Sequence, residues 1–511
     1  MSDTSDEKQI QKQDFKSNKT DSDAVIDLEQ IPTTITTPKG IQTRELIPEY
    51  ADEFNPDGLY MAFPEDKLTY RSVKGNIPYS AFLMLIVEFA ERGSYYGTQG
   101  ILTNFIMRPL PDGSTTGSTH TDNQSAGALD MGLPVANAFV MLLQFLAYVA
   151  PLIGGYLADA KLGKFKAIMI GVWIGLVSHI LFVIAGLPPV IKHGNSALAP
   201  TVIAIISLAF ATGFIKPNLL PLLLDQYPYR ANVLKKLPTG EIIYMDRDKS
   251  MENVTLIFYW SINIGAFFQL ATTYAARDIG YWLAFLTPGL MYLLVCIFML
   301  LVGRHISHPP PTGSIIARFL KVLDVCFRGN FLARIKNGEF WEFSYPSNME
   351  SRGELYFRKK SQSPITWTDQ DVRDYRSTIG QCLMFLYWIV FNLNDTGLST
   401  ALNAQAGAMI TKNVPNDLFN NFNQITIIVL IPILDFLIYP AIAKMGWNFK
   451  SVHKISFGFF LGGLSSMLGA ILQWRVYETS PCGYYASDCD AGVSTITACW
   501  HTLEHQITLR V

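Results

Sequence analysis

The sequence predicts an all-α polytopic membrane protein. Three observations carry this prediction. Hydrophobic residues make up 49% of the 511-residue chain and charged residues only 16%, against roughly 25% charged in soluble domains. The apolar residues gather in long blocks, and Lys and Arg collect in alternate segments between them. A bilayer core about 30 Å thick takes about 20 mostly apolar residues per helix. Blocks of that length fall near residues 77–106, 132–157, 165–187, 199–224, 252–275, 280–302, 378–400, 419–443 and 453–477. Only helices or closed barrels satisfy the backbone in lipid, and runs this long exclude the short alternating segments of a barrel.

Residues 1–75 are polar, with no basic-then-apolar start and no small-residue cleavage site. They are not a signal peptide, and their composition predicts a disordered cytosolic tail. With the N-terminus inside, basic residues should concentrate after the second, fourth, sixth and eighth blocks. They do so, whereas the opposite segments hold single residues: Arg108, Lys192, Arg277, Lys412 and Arg475. Asn123-Gln124-Ser125 is a glycosylation triplet in the first outside segment. Cys482 and Cys489 fall in the last one, where either a disulfide or two free thiols are allowed. The net charge of −2 offers no field for nucleic acid. No phosphate loop of the G-x-x-x-x-G-K-[ST] kind is present, which argues against ATP as the energy source.

The blocks group as six (76–302), a long basic cytosolic linker (303–377), then three with an outside loop (378–490). Six plus six helices about a pseudo-two-fold axis is the plan of the major facilitator superfamily, with the substrate site at the midplane between halves. Nine of an expected twelve helices are recognisable. Residues 491–511 diverge, carrying no apolar run of sufficient length, so the chain is expected to be truncated or altered at its C-terminus.

The sharpest constellation lies inside the first block, in the run Val87-Glu88-Phe89-Ala90-Glu91-Arg92-Gly93-Ser94-Tyr95-Tyr96-Gly97. A charged Asp, Lys or Arg at a membrane-helix centre costs at least about 2.5–3.5 kcal/mol on insertion scales, so these groups need partners or water. Glu88 and Arg92 are four apart and share a helix face, while Glu91 sits round the helix from that pair. The tyrosine hydroxyls suit polar ligands. The competing explanation is a buried ion network that only holds the bundle together. Buried pairs are weak stabilisers, and a carboxyl beside a fixed guanidinium in a partly dry site forms the outline of a proton relay.

These residues resemble the ExxERFxYYG motif of the proton-dependent oligopeptide transporter family, with Gly93 where the family has Phe. Gly154-Gly155-Tyr156-Leu157-Ala158-Asp159 with Leu162-Gly163 resembles its loop after the second helix. Thr212-Gly213-Phe214-Ile215-Lys216-Pro217-Asn218 resembles its GTGGIKPN stretch, and Phe258-Tyr259-Trp260-Ser261-Ile262-Asn263-Ile264-Gly265-Ala266 resembles FYxxINxGS. The resemblance runs over roughly residues 75–495 and is nearest to fungal-type members. It implies that Arg92 and Lys216 hold a peptide carboxylate, that Glu88 and Glu91 with Arg92 couple proton uptake, and that Tyr95, Tyr96, Tyr148 and Asn263 contact the peptide. Pro217 can open the helix beside Lys216. Asp395, flanked by Asn392 and Asn394, is the candidate acid of the second half.

The implied activity is proton-coupled symport of di- and tripeptides by alternating access, in a multi-pass protein of the plasma membrane with no cofactor and no enzymatic chemistry. Its partners are small peptides, protons and the lipid bilayer. The alternatives are a family relative carrying nitrate or modified amino acids, and a truncated membrane protein without transport. Gly458-x-x-x-Gly462 reads as a helix-packing pair. His501-Thr502-Leu503-Glu504-His505 matches H-x-x-E-H but has no third ligand after it, so no metal site is expected.

Overall fold

The computed structural model describes residues 34–37, 40–75, 78–119, 125–311, 313–352, 365–395, 404–410, 429, 433, 437–445, 451–489 and 493–496. The chain divides into two compact units, Met1–Ile77 with Tyr227–Asn253 and Pro78–Gln226 with Val254–Val511.

The first unit is β-rich. Strands β1 (Thr34–Thr37) and β2 (Gly40–Thr43) form an antiparallel pair. A second sheet joins β3 (Leu46–Ile47), β4 (Leu59–Met61), β5 (Arg71–Val73), β6 (Val233–Lys236) and β7 (Ile242–Met245) in the order β3-β4-β6-β7-β5. Strand side chains alternate between faces, and both faces here are apolar. Leu59, Val233, Ile243 and Met245 cluster on one, and Leu234, Ile242 and Tyr244 on the other. Arg44 and Asp66 form a buried bidentate pair, with Nη2 donating to Oδ1 at 2.6 Å. Asp246 accepts from Lys67 Nζ at 2.9 Å. The expectation of a disordered tail is therefore corrected for residues 34–37 and 40–75, while residues 1–33 and 38–39 lie outside the described residues. Composition missed the order because each strand is two to four residues long and the pairings that join the two segments, β4 with β6 and β5 with β7, are far apart in sequence.

The second unit is helical. Its helices are α1 (Tyr79–Met107), α2 (Gly132–Leu157), α3 (Lys164–Ala185), α4 (Gly194–Leu224), α5 (Arg247–Ala266, which begins in the first unit), α6 (Phe268–Asp278) and α7 (Tyr281–Val302). Then come α8 (Ile315–Cys326), α9 (Phe331–Asn337), α10 (Pro346–Ser351), α11 (Asp369–Cys382), α12 (Phe385–Asp395) and α13 (Ser451–Thr479). Among the described residues six helical stretches are long and apolar enough to cross a membrane: Gly132–Leu162, Lys164–Ala185, Ser196–Leu224, Arg247–Asp278, Tyr281–Val302 and Ile455–Thr479. Helix α1 matches them in length but carries the charged run. The expected seventh span is instead two helices, α11 and α12, separated at Leu383–Met384. The expected eighth lies mostly outside the described residues. The linker 303–377 is not a plain loop. Val322, Val325 and Cys326 of α8 pack with Met349, Trp367 and Val372 into a small core.

Membrane helices gain little from hiding apolar side chains, so close backbone approach and hydrogen bonds decide their packing. Helix α3 shows both faces of this rule. Trp173, Val177, Ile180 and Ile184 form an exposed stripe, whereas Gly171, Gly175, Ser178 and Phe182 are buried. Ser178 Oγ donates to the Ala204 carbonyl of α4 at 2.7 Å. Tyr292 of α7 donates to the Gly171 carbonyl at 3.3 Å. Phe105, Phe182, Tyr281 and Phe285 interlock α1, α3 and α7, with ring centroids 4.7–5.2 Å apart in the contacting pairs.

Glycines set the two closest crossings. A Cβ on Gly154 of α2 would stand 2.2 Å from the Gly213 carbonyl oxygen of α4. That carbonyl has lost its usual helical donor, because Pro217 has no N–H. Helix α4 nonetheless runs unbroken through Pro217, which corrects the expectation that it opens there; Asn218 Nδ2 donates back to the Phe214 carbonyl at 2.8 Å. At the second crossing, a Cβ on Gly265 of α5 would stand 2.6 Å from the Phe89 carbonyl oxygen of α1, and one on Gly93 would meet Met291, Gly265 and Phe268 at 3.2–3.4 Å. The glycine that departs from the family motif is thus where α1 and α5 meet.

Overpacking a tight contact costs about 1–3 kcal/mol or more. Gly265→Val and Gly213→Val should each collapse the monodisperse peak of detergent-solubilised protein in a thermal-challenge size-exclusion assay. Gly155→Ala, whose new Cβ meets only Pro217 at 3.8 Å, should leave it unchanged.

Candidate functional site

The charged run of the first membrane helix is buried as a unit. Glu88, Glu91 and Arg92 keep 4%, 2% and 4% of their surface exposed. Arg92 pairs bidentately with Glu91, with Nη2 donating to Oε1 at 2.6 Å and Nε donating to Oε2. Its Nε lies 3.5 Å from Glu88 Oε1. The spacing favoured Glu88, four residues away, as the partner. The structure gives the tighter contact to the adjacent Glu91, because the planar guanidinium fork fits both oxygens of one carboxylate. Glu88 remains as a second acceptor on the same cation.

Around this triad the site is aromatic. The Arg92 guanidinium stands 5.1 Å from the Tyr95 ring centroid, and Tyr95 meets Tyr96 edge to face at 5.5 Å. On α2 and α4, Lys216 Nζ stands 4.9 Å from the Tyr148 ring centroid. Lys216 lies within Coulombic range of Arg92, Glu91 and Glu88. The structure thereby groups Glu88, Glu91, Arg92, Tyr95, Tyr96, Tyr148 and Lys216. Two carboxylates and two basic side chains share this cluster, so the fully ionised set is neutral in sum. Tyr148 is 70% exposed and Lys216 is also exposed, so one end of the cluster is open while the Glu91–Arg92 end is closed.

The remaining expected residues sit as follows. Asn263 of α5 is buried and donates its amide to the Tyr259 carbonyl at 2.8 Å. Asp395 closes α12, and its side chain lies outside the described residues. Asn123 and the His501–His505 run also lie outside them. Cys482 and Cys489 are joined by a disulfide, with Cα atoms 5.7 Å apart. Gly458 and Gly462 are buried on α13, in line with Ser465 and Gly469, and the Gly469 carbonyl accepts from Gln405 at 3.3 Å. No group of metal-binding side chains occurs among the described residues.

Two contributors were missed in the sequence. Thr272 of α6 donates to the Gly97 carbonyl of α1 at 2.9 Å, tying the tyrosine-bearing turn in place; threonines in a span gave no signal. His179 of α3 is buried, stacks on Tyr292 at 4.5 Å, and donates from Nδ1 to the Gly175 carbonyl at 2.8 Å. A solitary His in an apolar block was the available cue.

The family model described as PTR2, POT family, matches residues 165–507. The chain is similar to the peptide transporter PTR2 of Candida albicans, 48% identical over 446 residues that cover 86% of this chain and 72% of the relative. It is also similar to the MFS-type transporter ucsM of Acremonium sp, 38% identical over 434 residues covering 84% and 71%. Its fold is similar to the crystal structure of the POT family transporter PepTSo, with a TM-score of 0.62 and 20% identity over 85% of this chain and 81% of that one. A buried Glu-Glu-Arg triad on the first of a series of membrane helices and these matches lead to one conclusion: the chain is a multi-pass membrane protein that belongs to the POT family.

Proposed function

We propose that the protein carries small peptides across a membrane together with protons. The single observation that supports this best is the buried Glu88–Glu91–Arg92 triad within Coulombic range of Lys216. The proposed location is the plasma membrane with the N-terminus in the cytosol, a reading supported by the distribution of Lys and Arg between the apolar blocks. The peptide transport named for the Candida albicans relative agrees in substrate class.

The proposed mechanism follows from charge balance. With both glutamates ionised, Arg92 and Lys216 are already compensated and have little attraction left for a carboxylate. A proton on Glu88 or Glu91 leaves the cluster one charge positive. A peptide C-terminus then restores neutrality by pairing with Lys216 at the open end and Arg92 behind it, through charge-assisted hydrogen bonds. Tyr95, Tyr96, Tyr148 and Asn263 supply neutral hydrogen-bonding groups for the peptide amide, and Asp395 is proposed as an acid of the opposite half. Loss of the proton on the far side returns the cluster to its compensated state and expels the peptide. A membrane potential supplies about 2.3 kcal/mol per charge per 100 mV, enough to drive several-fold accumulation.

Uptake of a labelled dipeptide by cells lacking their own peptide carriers tests the assignment. Arg92→Ala should abolish uptake while surface expression is unchanged, and uptake at the parental rate would sink the reading. Excess unlabelled dipeptide should compete, whereas nitrate should not. In the same assay Glu91→Gln, which mimics the protonated acid permanently, should flatten the rise in uptake as external pH falls. An unaltered pH profile would remove Glu91 from the proton path.

A further inference from the structure

His179 of α3 and Tyr292 of α7 are ionisable side chains inside the helix bundle to which the charge-balance mechanism gives no part. They keep 2% and 1% of their surface exposed. Their rings stack with centroids 4.5 Å apart and planes 19° apart. Two glycines of α3 seat the pair. A Cβ on Gly175 would stand 2.0 Å from the Tyr292 hydroxyl, so glycine is what leaves room for the phenol there. The hydroxyl donates to the Gly171 carbonyl at 3.3 Å, and His179 Nδ1 donates to the Gly175 carbonyl at 2.8 Å. In the neutral ring that leaves Nε2 as the acceptor, and Nε2 has no hydrogen-bond partner among the described residues. A buried acceptor left unpaired costs about 1–3 kcal/mol. As filler alone, a phenylalanine would serve better.

The stack stands beside the closed end of the triad. A Cβ on Gly93 would lie 3.2 Å from Met291 Cε, and one on Gly97 3.5 Å from Pro288 Cβ, so α1 and α7 run against each other there. This crossing carries Tyr292 into Coulombic range of both Glu91 and Arg92. Around Glu91, α1 itself supplies Glu88, Arg92 and the tyrosine pair, α4 supplies Lys216, and α2 supplies Tyr148 beside that lysine. From α7 come Tyr292 and Cys296, with His179 of α3 behind the phenol. Where α5 and α6 meet α1 they present Gly265, Phe268 and Thr272, none of which ionises. Helix α4, packed along α3, carries no ionisable residue besides Lys216. The closed end of the triad therefore faces neutral rings, not a further charge.

We propose that Tyr292, held by its stack on His179, is the wall that keeps water from the closed end of the Glu91–Arg92 pair, and that both rings are positioning residues for the proton step. This rests on the reading of the protein as a proton-coupled peptide carrier, and it adds what sets the pH at which the proton binds. Water favours an ionised carboxylate and its exclusion disfavours one. Shortening either ring opens a space between Glu91 and the imidazole, polar enough to hold water. Proton uptake then needs a lower external pH. Lys216 and Tyr148 at the open end are untouched, so exchange of peptide for peptide, which needs no net proton movement, persists.

The full chain in proteoliposomes tests this with two readouts, uptake of a labelled dipeptide against external pH and dipeptide counterflow at equal pH on both sides. Tyr292→Ala and His179→Ala should each move the midpoint of the uptake profile to lower pH, by about one unit for the tyrosine, with counterflow close to the parental rate. Tyr292→Phe and His179→Phe, which keep the stacked rings, should hold the parental midpoint. Should Tyr292→Ala fail to insert, Tyr292→Leu carries the same prediction. Parental midpoints in both ring-shortened variants would overturn the proposal. Loss of uptake and counterflow together would overturn it too, since the pair would then only hold the bundle. A parental protein that exchanges dipeptide but shows no pH-dependent uptake would end the proton-coupled reading and this inference with it, whereas a pH-dependent parent with unmoved variants ends this inference alone.

Discussion

The pairing of Arg92 with Glu91 and Glu88 inside a membrane helix is the constraint on which the rest depends. An arginine cannot shed its charge, so it must be compensated wherever it lies away from water. Two carboxylates on the same helix supply more negative charge than one guanidinium needs. The surplus is matched from α4 by Lys216. A set of four charges that sums to zero when all are ionised responds strongly to the protonation of any one carboxylate. That sensitivity makes such a site useful for exchanging protons and anions, and costly as a purely structural device.

Holding these charges in register demands backbones close together. Gly154 against Gly213 brings α2 to α4, and with them Tyr148 to Lys216. Gly93 against Gly265 brings α1 to α5 directly beside Arg92, whose Cβ is itself 3.2 Å from where a Cβ on Gly265 would be. The motif segments are therefore packing motifs as well as chemical ones. The same residues that present polar groups also set the distance at which those groups meet.

How much of this could be read from the sequence depended on the range of the interactions. Membrane helices are local: block 132–157 became Gly132–Leu157, and 280–302 became Tyr281–Val302. The buried triad was legible because Glu88, Glu91 and Arg92 lie within five residues, although helical spacing alone put the closer contact on the wrong glutamate. The sheet of the first unit was not legible. Its short strands pair β4 with β6 and β5 with β7 across some 170 residues, and its Arg44–Asp66 pair looks in sequence like ordinary polar tail. Gly93 was visible only as a mismatch, and its reason lies on another helix. Nor did composition reveal the small core of the linker, where α8 packs on Trp367 and Met349 downstream.

The central claim is that the triad takes up a proton together with the carboxylate of a peptide. The most direct measurement is proton movement into proteoliposomes carrying an internal pH dye, on addition of a dipeptide and of the same dipeptide amidated at its C-terminus. The charge-balance account predicts acidification of the lumen with the free dipeptide and little or none with the amide. Equal acidification with both, or dipeptide entry with no proton movement, would contradict it.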